Sequence, residues 1–520
     1  MKTISKITLI AFLWITVINS GTLGVLDTEL RLQMAHSWWT ETEEVQVAPD
    51  YKPRGRTDIR LGVVGVGGKR YIAYEPGQSM LMLPGDWLGT QLHQWFPILP
   101  AKDFRALVVS LLIFIPLNVA VVVSCFWLLR LFNFEERIAG LASIAWLLGT
   151  TVLHYSQVHH QNNQVLLFVT LAYANALAFL LRQNPRFLIW SGLSLGAAML
   201  IRVTSAIHAL TVVLFLFGCA AYQNRNTRKV LKVMGLWILG FIPLAFLGRL
   251  LDYIRYGNFL THGQSLLLHQ INPEADSSNA PKIGMPDEFS SNRYPGLWGV
   301  FFSPAKSIFI YDPLFLPGLV LAIRFWRRLS PYLQWYLVTG ILNLGIHIIL
   351  TSRLGFWHGD SAWGARYHLT SVHLLLIPLT GLFIQYLLSV KGVKVWLLRG
   401  ILTLAILFQI ASVAMPMNLE IYQARVGMPG SRLEFRIGQR LINIVCLSNG
   451  SLSKFCVNSN PDKRPYLKHL NHLNFLPFTL RQEAADNPAL GEVSLVLLMI
   501  FWGLVLILAI GTTLWFCGFG

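Results

Sequence analysis

Apolar residues along this chain arrive in blocks of bilayer-crossing length, roughly 20 residues each, separated by short clusters rich in Arg and Lys. The blocks predict spans near residues 6–26, 106–131, 138–154, 164–181, 187–201, 204–221, 233–251, 308–323, 333–350, 370–388, 400–416 and 493–515. Only helices that close their own backbone hydrogen bonds can cross lipid in such numbers. The pattern therefore predicts an all-α polytopic membrane protein with about 12 transmembrane helices. No internal repeat at a fixed period interrupts it. Residues 1–416 read as a transmembrane core with extracytoplasmic loops 27–105, 252–307 and 351–369. Residues 417–492 read as a further loop or small cap, and 493–520 as the last transmembrane helix.

Composition agrees: 54% of the 520 residues are hydrophobic, 13% are charged, and the mean hydropathy is +0.51. The net charge of +17 would suit nucleic acid, but the position of the charges argues against that partner. Lys2, Lys6, Arg130, Arg137, Arg182, Arg186, Arg225, Arg228, Lys229, Lys232, Arg324, Arg327, Arg328, Lys391, Lys394 and Arg399 all fall at the N-terminus or in alternate short turns, opposed only by Glu135 and Glu136. Such a bias marks the cytoplasmic side. It places the N-terminus inside and every long loop outside, as expected for a bacterial plasma membrane protein. In that oxidising compartment Cys446 and Cys456 can form a disulfide or remain two buried thiols.

Candidate chemistry gathers in the outer loops. Leu26, Leu30, Met34 and Trp38 recur every four residues, predicting a helix that lies flat on the outer surface with an apolar face toward the lipid. Asp27, with Glu29 close by, then stands at the corner between a vertical and a horizontal helix. Partial burial there would raise the carboxyl pKa and suit a general base; capping the helix is the simpler role. Lys69 and Arg70, ahead of Tyr74, could hold a phosphate or be solvated loop charges. Lys306, the single cation of an apolar stretch running to Asp312 and Pro313, either meets an anion or snorkels. The stretch holding Trp357, Asp360, Trp363, Arg366 and Tyr367 combines aromatic faces with an arginine, as a sugar or phosphate site would. His154, His159 and His160 lack a matching Cys or acidic ligand set, so a divalent metal is unsupported and no cofactor is expected.

These features resemble the membrane glycosyltransferases of the C superfamily, which include protein O-mannosyltransferases and aminoarabinose transferases. The resemblance rests on the acid after the first span, the Tyr-x-x-Gly motif of Tyr74 to Gly77, the Ser303 to Pro313 segment and the Trp357 to Tyr367 stretch. It implies transfer of a sugar, with inversion, from a polyprenyl-phosphate donor in the lipid bilayer to a hydroxyl acceptor on a lipid, glycan or protein. It implies Asp27 as base, with Glu29 beside it; Lys69, Arg70, Lys306 and Arg366 as phosphate ligands; and Tyr74, Trp357, Asp360, Trp363 and Tyr367 around sugar or acceptor. A relative's further acid between the third and fourth spans is replaced here by His159, His160 and Gln161. The competing readings are a lipid or solute transporter, or flippase, of the cell envelope and a non-catalytic scaffold. A transporter would place charges at mid-bilayer, whereas here they collect at the span ends.

Overall fold

The computed structural model of the chain describes residues 2–45, 59–223, 227–271, 294–352, 357–359, 361–431, 433–448, 455–457, 465–484 and 491–518. It opens with α1 (Thr3–Ile18), α2 (Leu26–Thr40), a two-residue antiparallel ribbon of β1 (Val63–Val64) and β2 (Arg70–Tyr71), and α3 (Gly77–Trp95). Next come α4 (Ala101–Val109), running through a π turn into α5 (Ile115–Leu131), then α6 (Glu136–Gly149), α7 (Val152–Val158), α8 (Gln161–Arg182), α9 (Arg186–Ile201), α10 (Ala206–Tyr222), α11 (Thr227–Tyr256) and α12 (Gly263–Ile271). The second half holds α13 (Tyr294–Phe302), α14 (Ile308–Tyr311), α15 (Phe315–Arg324), α16 (Pro331–Thr351), α17 (Leu369–Ser389), α18 (Val393–Ala414), α19 (Met417–Arg425), α20 (Arg436–Ser448), α21 (Pro465–His469), α22 (Leu476–Ala484) and α23 (Glu492–Cys517).

The protein is an all-α integral membrane protein. Among the described residues eight helices are long and apolar enough to cross a bilayer, or nine if the bent pair α6 and α7 counts as one span. Three shorter apolar helices, α1, α9 and α15, fall on the remaining predicted blocks. α8 is buried along almost its whole length at the centre, whereas α23 lies at the edge with most of its apolar face exposed.

The predicted spans differ from the helices in two instructive places. The first helix stops at Ile18, eight residues short of the block's end, because residues 19–25 turn on Gly21 and Gly24, both at φ 75. A Cβ on Gly24 would stand 3.0 Å from the Val158 backbone, so only glycine allows this approach. The third block breaks after Gly149, and α7 leaves α6 at 60°. Asp312 stabilises that break by accepting hydrogen bonds from the Thr151 backbone N–H (2.7 Å) and hydroxyl (3.0 Å). The Gln157 side-chain nitrogen lies within hydrogen-bonding distance of three carbonyls, those of Ile18 (2.7 Å), Val413 (2.9 Å) and Asn474 (2.8 Å). The buried bend thus has its freed polar groups satisfied.

α9 and α11 approach through glycine. A Cβ at Gly192 would meet the Trp237 carbonyl oxygen at 2.1 Å, one at Gly196 the Phe241 carbonyl at 2.6 Å, and one at Gly240 the Ile189 carbonyl at 2.2 Å. Gly192 and Gly196 form the small-xxx-small spacing that lets membrane helices touch backbone to backbone. Cys446 and Cys456 are joined by a disulfide with Cα atoms 5.5 Å apart, tying α20 to residues 455–457. Replacing Gly192 by Val is expected to cost about 3 kcal/mol or more, at the top of the overpacking range. A lowered unfolding temperature in detergent checks it, with Gly235→Ala, where a Cβ meets nothing within 4 Å, as the neutral control.

Candidate functional site

The start of α2 is fixed from outside the helix. Val25 is its N-cap and no side chain caps it, so Asp27 is not spent on capping. Thr28 donates to the His159 carbonyl (3.2 Å), and Gln78 of α3 donates to the same oxygen (2.8 Å). His159 itself is at φ 52, stacks on Phe114 with ring centroids 4.5 Å apart, and bonds Ser110 through Nε2 at 3.0 Å. Leu30 and Met34 are buried against Val45, Ile72 and Tyr74, with Leu26 and Trp38 at the margin. The apolar stripe read as lipid-facing is therefore covered by the loop's own residues. Period alone cannot tell one apolar partner from another.

This packing brings the Tyr74 hydroxyl to the Asp27 carboxylate, to which it donates at 2.8 Å. Three residues later Gly77 starts α3 against the end of α9, where a Cβ would lie 2.6 Å from the Leu200 carbonyl and the Ile201 nitrogen. The two ends of the Tyr-x-x-Gly motif thus do separate jobs: one holds the acid, the other permits helix contact.

Arginines surround the acid. Arg31, one turn along α2, donates to the Asp27 carbonyl (3.1 Å) and covers the Tyr74 ring at 4.0 Å. Arg366 Nη1 lies 4.0 Å from Asp27 Oδ2 and 3.5 Å from His160 Nε2, while its Nη2 donates to the Tyr367 hydroxyl (3.4 Å). Asn162 holds the Arg366 carbonyl (2.9 Å) and accepts from Arg202 (3.2 Å). Burial by itself would raise the Asp27 pKa. His160, Arg31 and Arg366, with the Tyr74 hydrogen bond, outweigh it and hold the carboxyl below its ordinary value. The sequence expectation of a raised pKa is thereby corrected: it counted burial alone and left out the charged neighbours, Arg31 one helical turn away and Arg366 brought in from a distant loop. Burial and the Asp27 charge push the Tyr74 phenol up, so it remains a donor. Burial and Arg366 drive His160 down to about 3, leaving a neutral imidazole at neutral pH.

Asp27 opens onto a cavity of about 380 Å³ with Glu29, His160 and Arg366 on its walls. The opposite wall is one face of α19, formed by Met417, Asn418, Ile421, Tyr422 and Arg425. Asp27 is 26% exposed there, and Glu29, 38% exposed, pairs with Lys102 at 2.7 Å. The other sequence candidates are distributed differently. Lys69 and Arg70 are exposed on the ribbon, Arg70 donating to the Leu61 carbonyl (2.9 Å) and neither lining the cavity. Lys306 is buried with Nζ donating to the Ala362 carbonyl (2.5 Å), one residue of the cavity wall. Trp363 is core: its ring stacks on His154 (5.6 Å) and its carbonyl accepts from Tyr155 (2.8 Å). Trp357 packs half-buried against Gly299, where no Cβ would fit. Asp360 lies outside the described residues.

Arg31, Arg202, Asn162 and α19 escaped the sequence reading. For Arg31 the signal was its spacing four residues after Asp27; for α19 it was cavity residues falling at i, i+1, i+4, i+5 and i+8 of one helix face.

No family model matches the chain, and no curated protein sequence matches it. Solved structures do match it. The crystal structure of ArnT from Cupriavidus metallidurans bound to undecaprenyl phosphate matches with a TM-score of 0.46 and 12% identity, over 84% of this chain and 74% of that one. The apo state of the same protein matches with a TM-score of 0.42 and 12% identity, over 82% and 73% respectively.

Because its folded pKa is lowered, Asp27 stabilises the fold above the unfolded carboxyl value of about 3.9, and that contribution is lost as pH falls through the folded value. The destabilisation caused by Asp27→Asn is accordingly expected to be largest near neutral pH and to shrink below about pH 4. Unfolding temperatures of the two proteins across pH check this.

Proposed function

We propose that this protein is a glycosyltransferase that moves a sugar from a polyprenyl-phosphate donor to a hydroxyl acceptor at the extracytoplasmic face, with inversion. The observation that carries the reading is the Asp27 carboxylate, open to a cavity, held by Tyr74 and flanked by Arg31 and Arg366. A buried acid with surplus guanidinium around it suits a reaction in which a proton is taken and a phosphate is released within a few ångströms.

In this mechanism the acceptor oxygen attacks the anomeric carbon from the face opposite the phosphate. The carbon–oxygen bond to phosphate breaks, and the departing oxyanion is met by Arg366. The acceptor proton passes to Asp27. The polyprenyl phosphate leaves readily from the anomeric carbon, so the proton need move only late, and a carboxylate of low basicity that is ionised throughout the neutral range suffices. Tyr74, kept protonated, fixes the carboxylate's orientation.

An apolar groove of about 280 Å³ lined by residues such as Phe301, Phe309, Phe315, Leu337 and Leu375 supports a lipid-borne donor. The segment between Lys306 and Phe309 borders both sites, since Lys306 bonds the cavity residue Ala362 and Phe309 lines the groove. The charge bias of the short turns supports placing the cavity outside.

Purified membranes given a panel of radiolabelled polyprenyl-phosphate sugars test the proposal. Asp27→Asn should still fold, with lowered stability, and lose transfer by about 10²–10⁴-fold, the range for a general base. Unimpaired transfer, or labelling that placed residues 27–45 in the cytosol, would remove the proposal. Tyr74→Phe takes away a hydrogen bond that favours the carboxylate. It should move the acid limb of the pH–rate profile to higher pH while transfer persists.

A further inference from the structure

Beneath the cap, away from the cavity walls, two arginines share one acid. Glu420 of α19 and Arg436 and Arg440 of α20 are each no more than 1% exposed. Arg440 takes the carboxylate with Nε and Nη2, and its Nη1 takes the carbonyls of Ala411 (3.2 Å) and Ser412 (2.5 Å). Arg436 is left with a single contact, Nη2 to Glu420 Oε2 at 3.1 Å. Its Nε and Nη1 have no hydrogen-bond partner among the described residues.

The same junction holds two more donors without a hydrogen-bond partner among the described residues, the Tyr311 hydroxyl and the Trp363 indole N–H, each in a residue 1% exposed. Tyr311 and Trp363 pack edge to face at 5.1 Å, Ile437 completes their cluster, and Arg440 covers the Trp363 ring at 5.4 Å. Gln409, whose amide donates to the Tyr311 carbonyl at 2.7 Å, keeps an unpartnered Oε1. Buried donors almost always find acceptors, and a concentration of orphans together with an uncompensated guanidinium charge calls for an anion.

We infer that the junction of Arg436, Tyr311 and Trp363 binds a small oxoanion, such as bicarbonate or phosphate, which accepts from the arginine, phenol and indole. A hydroxyl on such an anion could in turn serve Gln409 Oε1, as chloride could not. The site is distinct from the cavity at Asp27, because none of these three residues lines that cavity. The anion would lock α20 onto the aromatic floor and so set the position of α19.

Purified protein, dialysed into gluconate at constant ionic strength, should gain thermal stability saturably with bicarbonate or inorganic phosphate, following the logarithm of anion concentration above its dissociation constant. Chloride should give no such gain. Arg436→Met should abolish the response. Tyr311→Phe, which keeps the ring and removes one donor, should weaken the apparent affinity several-fold and serves if the arginine variant does not fold. Ion chromatography of the washed protein, denatured in carbonate-free alkali, detects an anion held too tightly to exchange. Wild-type protein showing neither a saturable shift nor a stoichiometric oxoanion overturns the inference, as does a response to chloride alone or one that survives in Arg436→Met.

Discussion

One carbonyl oxygen, that of His159, holds the functional end of this molecule together. It lies where the chain reverses between α7 and α8, with its residue in the left-handed region, and it accepts from Thr28 on one side and Gln78 on the other. Those two donors belong to the helices that carry Asp27 and follow Tyr74. The corner that carries Asp27 is therefore built on a backbone reversal inside the bundle rather than on the rim of a loop. Such a site is positioned by packed elements and loses little order when substrate enters.

The electrostatics follow from that placement. Asp27 is drawn far enough inside for desolvation to matter, yet it keeps about a quarter of its surface open to the cavity. Of the arginines that hold it ionised, one lies on its own helix and another some 340 residues on. A carboxylate so surrounded is a weak base in a strongly cation-biased pocket. That trade suits a reaction limited by charge leaving rather than by a proton arriving.

The bundle was largely legible in the sequence, because lipid imposes one length and one polarity on everything that crosses it. Every predicted block meets an apolar helix. What failed were the places where the chain bends inside the bundle. The Gly21 and Gly24 turn ended the first helix early, and Asp312 stabilised a break in the third block. Of the site, Asp27 and Arg366 could be picked out by composition, since charged residues in aromatic, apolar surroundings are conspicuous. Arg31 carried a signal in its spacing from Asp27 that went unused, and Arg202 carried none, because its meaning depends on which helices touch. Trp363 misled for a related reason: an aromatic that looks like a sugar platform in one dimension is a floor beam in three.

Gln157 joins parts of the protein that are made far apart in time. Its amide reaches carbonyls at Ile18, Val413 and Asn474, so the bend before His159 is complete only when the last tenth of the chain has emerged. The earlier helices can insert as they are synthesised, one after another. The corner that carries the acid has to wait. During biogenesis a nearly finished molecule would already be threaded through the bilayer while its chemistry stayed switched off, and arming would coincide with the arrival of the final segment.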